Sequence, residues 1–104
     1  MKAIYVSLLA AAGILAAGAA QAADETALAQ KSGCLACHAV DHKVVGPAYK
    51  DVAKKYAGNK AMVGKLADKV MKGGAGVWGQ VPMPPNNVSK ADATKLVTWV
   101  LSLK

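Results

Sequence analysis

The sequence predicts an all-α fold of four short helices, and three observations carry that prediction. Apolar residues recur at three- and four-residue spacing through 60–72 and 89–101; glycine or proline punctuates the boundaries between segments; and no stretch shows the polar–apolar alternation of a half-buried strand.

Asp24 is placed to cap the first helix, which runs to about Ser32, with Glu25 near its positive end and Gly33 as its stop. Cys34-Leu35-Ala36-Cys37-His38 follows at once and so falls in the turn leaving that helix. Val44-Val45-Gly46-Pro47 reads as a loop, with Pro47 at the first position of a second helix that reaches about Ala57 and is ended by Gly58. Asn59 is placed to cap a third helix over Lys60 to Lys72. In it Met62, Leu66 and Val70 recur at i, i+4 and i+8, with Val63 and Ala67 beside them, and Gly73-Gly74 stops it. Residues 73–88 hold four glycines and three of the chain's four prolines, a composition incompatible with helix or central strand, and read as a long functional loop. Ser89-Lys90-Ala91-Asp92 resembles a capping box, and Ala93, Leu96, Val97, Val100 and Leu101 share one face of the helix it opens. That face is expected to pack on the first helix, with Trp99 flanking it.

Residues 1–22 have the layout of a cleaved secretion signal: Lys2 supplies the positive start, Ile4 to Ala20 is apolar, and Ala20-Gln21-Ala22 matches a small-residue cleavage site. The apolar stretch is alanine- and glycine-rich, is interrupted by Ser7, and falls short of the roughly 20 residues that span a bilayer, so no permanent membrane anchor is expected. Residues 23–104 form the expected mature domain, exported to the periplasm. The formal net charge of +7 becomes +6 without Lys2, and every cationic side chain is lysine. Such a balance suits nucleic acid, acidic lipid or an acidic protein partner, and equally a lysine-rich solvated surface with no docking role. No basic run interleaved with aromatics marks a nucleic-acid surface, and export argues against one.

Cys-x-x-Cys-His is the attachment sequence of a c-type haem. The two-residue gap lets one turn present both thiols to the vinyl groups, and the histidine that follows falls beneath the iron. Other uses of the spacing need more than this chain supplies: a dithiol redox pair belongs beside a βαβ pattern, and structural zinc takes about four ligands. Cys34 and Cys37 are the only cysteines, and His42 is the only histidine besides His38. One haem c attached through Cys34 and Cys37 is therefore expected. A mature domain this small sits near the limit at which an apolar core suffices, so the haem is also expected to act as a staple.

A second axial ligand must come from Met62, Met71, Met83, His42 or a lysine. His42 follows His38 too closely to reach the other face of the porphyrin, and Met62 and Met71 fit the third helix or its edge as core filler. Met83 lies in Val81-Pro82-Met83-Pro84-Pro85-Asn86, 45 residues beyond His38, where proline limits the backbone entropy lost in holding a thioether. A proline-rich turn can also order a methionine that binds nothing.

Together with Cys34-Leu35-Ala36-Cys37-His38, the segments Val45-Gly46-Pro47-Ala48-Tyr49, Gly76-Val77-Trp78-Gly79 and Val81-Pro82-Met83-Pro84-Pro85-Asn86 resemble the small bacterial class I monohaem cytochromes c over nearly all of the mature chain. The resemblance implies four helices wrapped around one covalently bound haem, His38 and Met83 as axial ligands, and an electron shuttle. It further implies that the Pro47 carbonyl accepts from the His38 ring, that Asn86 lies near the methionine sulfur, and that Trp78 bonds a propionate. Many relatives carry arginine near a propionate where this chain has Lys69, which lacks the planar two-pronged fork.

Two protein ligands on the iron leave no position for substrate, so a carrier is expected and an enzyme is not. The expected partners are other redox proteins: a quinol-oxidising complex or another cytochrome as donor, and a nitrite reductase, terminal oxidase or peroxidase as acceptor, met by a monomer. The competing class is a ligand-responsive haem protein, a gas sensor or weak peroxidase, in which Met83 dissociates.

Overall fold

The fold, a computed structural model, describes residues 23–104; the expected signal segment, 1–22, lies outside the described residues. Four helices are present in it: α1 Thr26–Lys31, α2 Tyr49–Lys55, α3 Met62–Lys72 and α4 Lys90–Ser102, with a short 3₁₀ turn over Cys34–Ala36. Among the described residues there are only isolated β-bridges, between His38 and Lys43 and between Gly74 and Met83. None of the described helices is long and apolar enough to cross a membrane.

Asp24 closes the start of α1, its Oδ1 accepting from the Thr26 N–H at 2.8 Å and from the Thr26 hydroxyl at 2.6 Å. Gly33, at φ +82°, reverses the chain straight into the 3₁₀ turn, a left-handed conformation that glycine adopts without steric cost. The loop after the turn folds back on it, because the Cys37 carbonyl accepts from both Val45 N–H (3.1 Å) and Gly46 N–H (2.7 Å).

The second helix starts two residues later than the position of Pro47 predicts. Ala48 is extended at φ −60°, ψ 142°, and it is the Ala48 carbonyl that accepts from Asp51 and Val52 N–H groups at 3.0 and 3.1 Å. Pro47 thus lies outside the helix, with its carbonyl turned to the His38 ring. Asn59 does not cap α3 through its side chain; tight turns from Asn59 O to Met62 N and from Lys60 O to Val63 N lead into the helix at 3.1 and 3.2 Å. Gly73, at φ +78°, ends α3 where expected. Ser89 caps α4, its hydroxyl accepting from the Asp92 N–H at 3.0 Å.

The last helix touches α1, as anticipated, but packs more broadly on α3 and α2. It therefore serves two apolar clusters. One gathers Ala29, Tyr49, Leu96, Trp99 and Val100; the other gathers Ala67, Ala93 and Val97, with Leu66, Val70, Met71 and Leu101 packed around them. Trp99 lies within the first cluster, 5% exposed, rather than at its flank. Each buried aromatic of this kind removes about 150–250 Å² from water, worth about 4–6 kcal/mol of transfer free energy before entropy is charged against it. Between the clusters lies a cavity.

Candidate haem site

The cavity measures about 480 Å³, within the range of small-molecule and cofactor sites, and its walls are mostly apolar. Cys34, Cys37 and His38 line it from the attachment turn, Met83 and Trp78 from the long loop, and Leu96 from α4. The turn is compact: Cys37 N–H and His38 N–H both donate to the Cys34 carbonyl, at 3.1 and 3.0 Å, which holds the two sulfurs and the imidazole on one short arc. Both cysteines are free of disulfide.

His38 Nδ1 donates to the Pro47 carbonyl at 2.8 Å. With Nδ1 carrying the proton, Nε2 is the unprotonated nitrogen, as a metal ligand requires, and the accepted proton raises its basicity. Tyr49, 6% exposed, stacks on the same ring with centroids 5.0 Å apart at 25°, and is itself braced edge-on by Trp99 at 5.6 Å and 76°. Burial pushes the Cys34 thiol above its ordinary range, an effect partly offset by a hydrogen bond from Tyr49. Burial, together with the neighbouring Cys34, pushes the Tyr49 hydroxyl far above its usual value, so it stays neutral throughout the physiological range.

Residues 74–83 close into a loop through paired bonds between Gly74 and Met83, 3.0 and 2.8 Å, and through Gly76 N–H to Gly79 O at 2.8 Å. Among the described methionines and His42, Met83 alone lines the cavity: Met71 packs in the second cluster, and His42 is exposed and paired with Asp41 at 3.0 Å. Asn86 fastens the loop to α3, its Nδ2 donating to Val70 O at 2.9 Å and to Pro84 O at 3.2 Å. Asn86 lines the same cavity as Met83. Trp78 is 43% exposed at the cavity rim, with Lys55 Nζ 5.7 Å from its ring centroid. Lys69 also lines the cavity and lies against Gly74, where a Cβ would meet its Nζ at 2.8 Å.

Residue types alone gave no role to Gly46 or to the Tyr49 ring. A Cβ at Gly46 would stand 2.5 Å from His38 Cε1, so the imidazole occupies the space a side chain would need. Their signal in the sequence is membership of the Val45-Gly46-Pro47-Ala48-Tyr49 segment.

The family model for cytochrome c matches residues 16–104. The chain belongs to the cytochrome c family. This cytochrome is 62% identical to cytochrome c2 of Rhodocyclus tenuis over 87 residues, which cover 79% of this chain and 95% of that one. It is 52% identical to cytochrome c-552 of Nitrosomonas europaea over 105 residues spanning the full length of both. The crystal structure of Nitrosomonas europaea cytochrome c552 superposes with a TM-score of 0.73 at 57% identity, covering 75% of this chain and 98% of that one. The architecture is accordingly that of a class I cytochrome c, and the cytochrome carries one covalently bound c-type haem and serves as an electron carrier. The residues fit the group: two free thiols on one turn, an imidazole with its outer nitrogen committed, and an apolar cavity between two half-cores.

Proposed function

We propose that this cytochrome moves single electrons between respiratory redox proteins of the periplasm, with Cys34 and Cys37 tethering the haem and His38 and Met83 as its axial ligands. When bound, the haem supplies a one-electron couple. The observation that carries the reading is the convergence of four side chains on one cavity: Cys34, Cys37, a His38 whose Nδ1 is held by Pro47, and the one methionine of the cavity wall, Met83.

Each residue then has a defined task. Pro47 fixes the imidazole tautomer and anchors the ring at Nδ1. Met83 offers a thioether, which favours the more electron-rich state and so raises the potential, and apolar walls act in the same direction. With both faces claimed by side chains no position is left for a substrate, and the cytochrome is a carrier and not an enzyme. Trp78 and Lys69 both line the cavity and would be the residues to meet the propionates. Asn86 keeps the Met83 segment in register with α3. Removal of residues 1–22 leaves 23–104 as the working, monomeric domain. Its donor is a quinol-oxidising complex or another cytochrome, and its acceptor a nitrite reductase, terminal oxidase or peroxidase.

The deciding experiment is a visible and near-infrared spectrum of protein purified from the periplasm, beside that of Met83→Ala. The sulfur-to-iron charge-transfer band is expected in the parent and absent from the variant. A band that survives the substitution would assign the second ligand elsewhere. Carbon monoxide added to the reduced parent should bind slowly or not at all; rapid binding at neutral pH would favour a ligand-responsive protein with a dissociable Met83.

A further inference from the structure

We propose that Tyr49 is a positioning residue that sets the plane of the His38 imidazole through ring stacking. The proposal rests on His38 being an axial ligand and goes beyond it, to what orients that ligand.

A single hydrogen bond cannot orient a ring. The Pro47 carbonyl holds Nδ1 at one point, 2.8 Å away, and still lets the imidazole plane rock about its Cβ–Cγ bond. A flat group against the ring face removes that freedom. Tyr49 is such a group, stacked at 5.0 Å and 25°. It cannot yield easily, because it is 6% exposed, Trp99 meets it edge-on at 5.6 Å, and its own N–H is tied to Ala39 O at 2.9 Å, one residue from the histidine it supports. Gly46 completes the cradle, leaving the imidazole room at Cε1. Gly46, Pro47 and Tyr49 therefore act on one ring in three ways: clearance, an anchor in the ring plane, and a wall against the face. Cys34 packs against the cluster that holds Tyr49, so that cluster meets both ends of the attachment sequence.

The test compares Tyr49→Phe, which keeps the stack and loses the hydroxyl, with Tyr49→Leu, which keeps an apolar side chain and loses the stack. Tyr49→Met replaces the latter if it is not exported. All are prepared as the haem-loaded protein. The readout is solvent exchange of the His38 Nδ1–H, followed by nuclear magnetic resonance in the reduced state. Exchange should stay within about twofold of the parent in Tyr49→Phe and rise about two- to tenfold in Tyr49→Leu, the span expected for one aromatic pair. Leu101→Ala, in the cluster that does not contain Tyr49, controls for general loosening and should lower the thermal midpoint while leaving that exchange at the parental rate.

Equal rates in Tyr49→Leu and the parent would overturn the proposal. So would acceleration in Tyr49→Phe, which would assign the effect to the hydroxyl, or in Leu101→Ala, which would make it global. A parent whose His38 resonances show no iron-bound shift would instead sink the ligation on which the proposal stands.

Discussion

At Gly46 and Gly33 the same residue type is required for opposite reasons. Gly33 stands at φ +82° with nothing within 4 Å of a built Cβ, so a side chain there meets backbone strain and no neighbour. Gly46 carries no such backbone demand; its constraint is the His38 ring, 2.5 Å from where a Cβ would lie. That ring is held by Pro47 and Tyr49 and has little freedom to move aside. Gly46→Ala should therefore destabilise the haem-loaded protein by about 1–3 kcal/mol, the cost of overpacking, and shift the His38 ring resonances. Gly33→Ala should cost about 1–2 kcal/mol and leave those resonances in place. Urea denaturation and the ring spectra together separate the two; identical ring shifts in both variants would contradict the distinction.

The start of α4 is fixed by groups that can be removed singly. Ser89→Ala leaves the Asp92 N–H without its side-chain acceptor and should lower stability by about 1 kcal/mol, read from the denaturation midpoint at unchanged slope. Next to it, Lys90 Nζ reaches Asp68 Oδ1 at 3.0 Å and joins α4 to α3. The hydrogen bond and charge of Lys90 hold the Asp68 carboxyl below its usual 3.8. A carboxylate whose folded pKa is depressed contributes stability above its unfolded pKa and loses that contribution as pH falls through the folded value, so this pair works above about pH 4 and is gone in stronger acid. In Lys90→Ala the Asp68 titration, followed by carbon-detected resonance, should move up toward 3.8. Because both partners are exposed, the accompanying loss of stability should be small and should shrink further as salt is added. An Asp68 titration unmoved by the substitution would show that the ion pair does not form in solution.

In the molecule as a whole, the hydrophobic core is two clusters with the haem cavity between them, and no large side chain is fully buried among the described residues. The walls of that cavity come from the attachment turn, α2, α3, the long loop and α4, so a haem held there would join the two clusters. Protein prepared without haem should therefore lose most of its helical circular dichroism and unfold without a cooperative transition. A sharp thermal transition in the haem-free chain would show the two clusters to be self-sufficient. The lysine excess, +6 once Lys2 is removed, also acts at this scale. Lys43 and Lys69 border the cavity and Lys55 lies over the Trp78 ring, so part of the charge borders the haem cavity. Turnover with an acidic redox partner should fall as ionic strength rises, because screening shortens the reach of that field. A flat dependence would remove lysine steering from the account.

The sequence by itself determined whatever is a local necessity. Gly33, Gly58 and Gly73 mark turns because positive φ is a demand of single residues, Ser89 marks the start of α4 because a cap acts within one turn, and the attachment turn is legible because its three reactive groups lie within five residues. The tertiary structure decided what depends on segments meeting. Pro47 is not the first residue of α2, since its carbonyl turns to a histidine nine residues back. Asn59 makes no side-chain cap, and α4 lies more on α3 and α2 than on α1. The clearance at Gly46 and the Tyr49 stack likewise follow from the fold. Propensity and spacing act over a few residues, whereas these contacts arise only when the loop after His38 folds back and the long loop closes on Gly74, and both closures are made by backbone hydrogen bonds between residues distant in the chain.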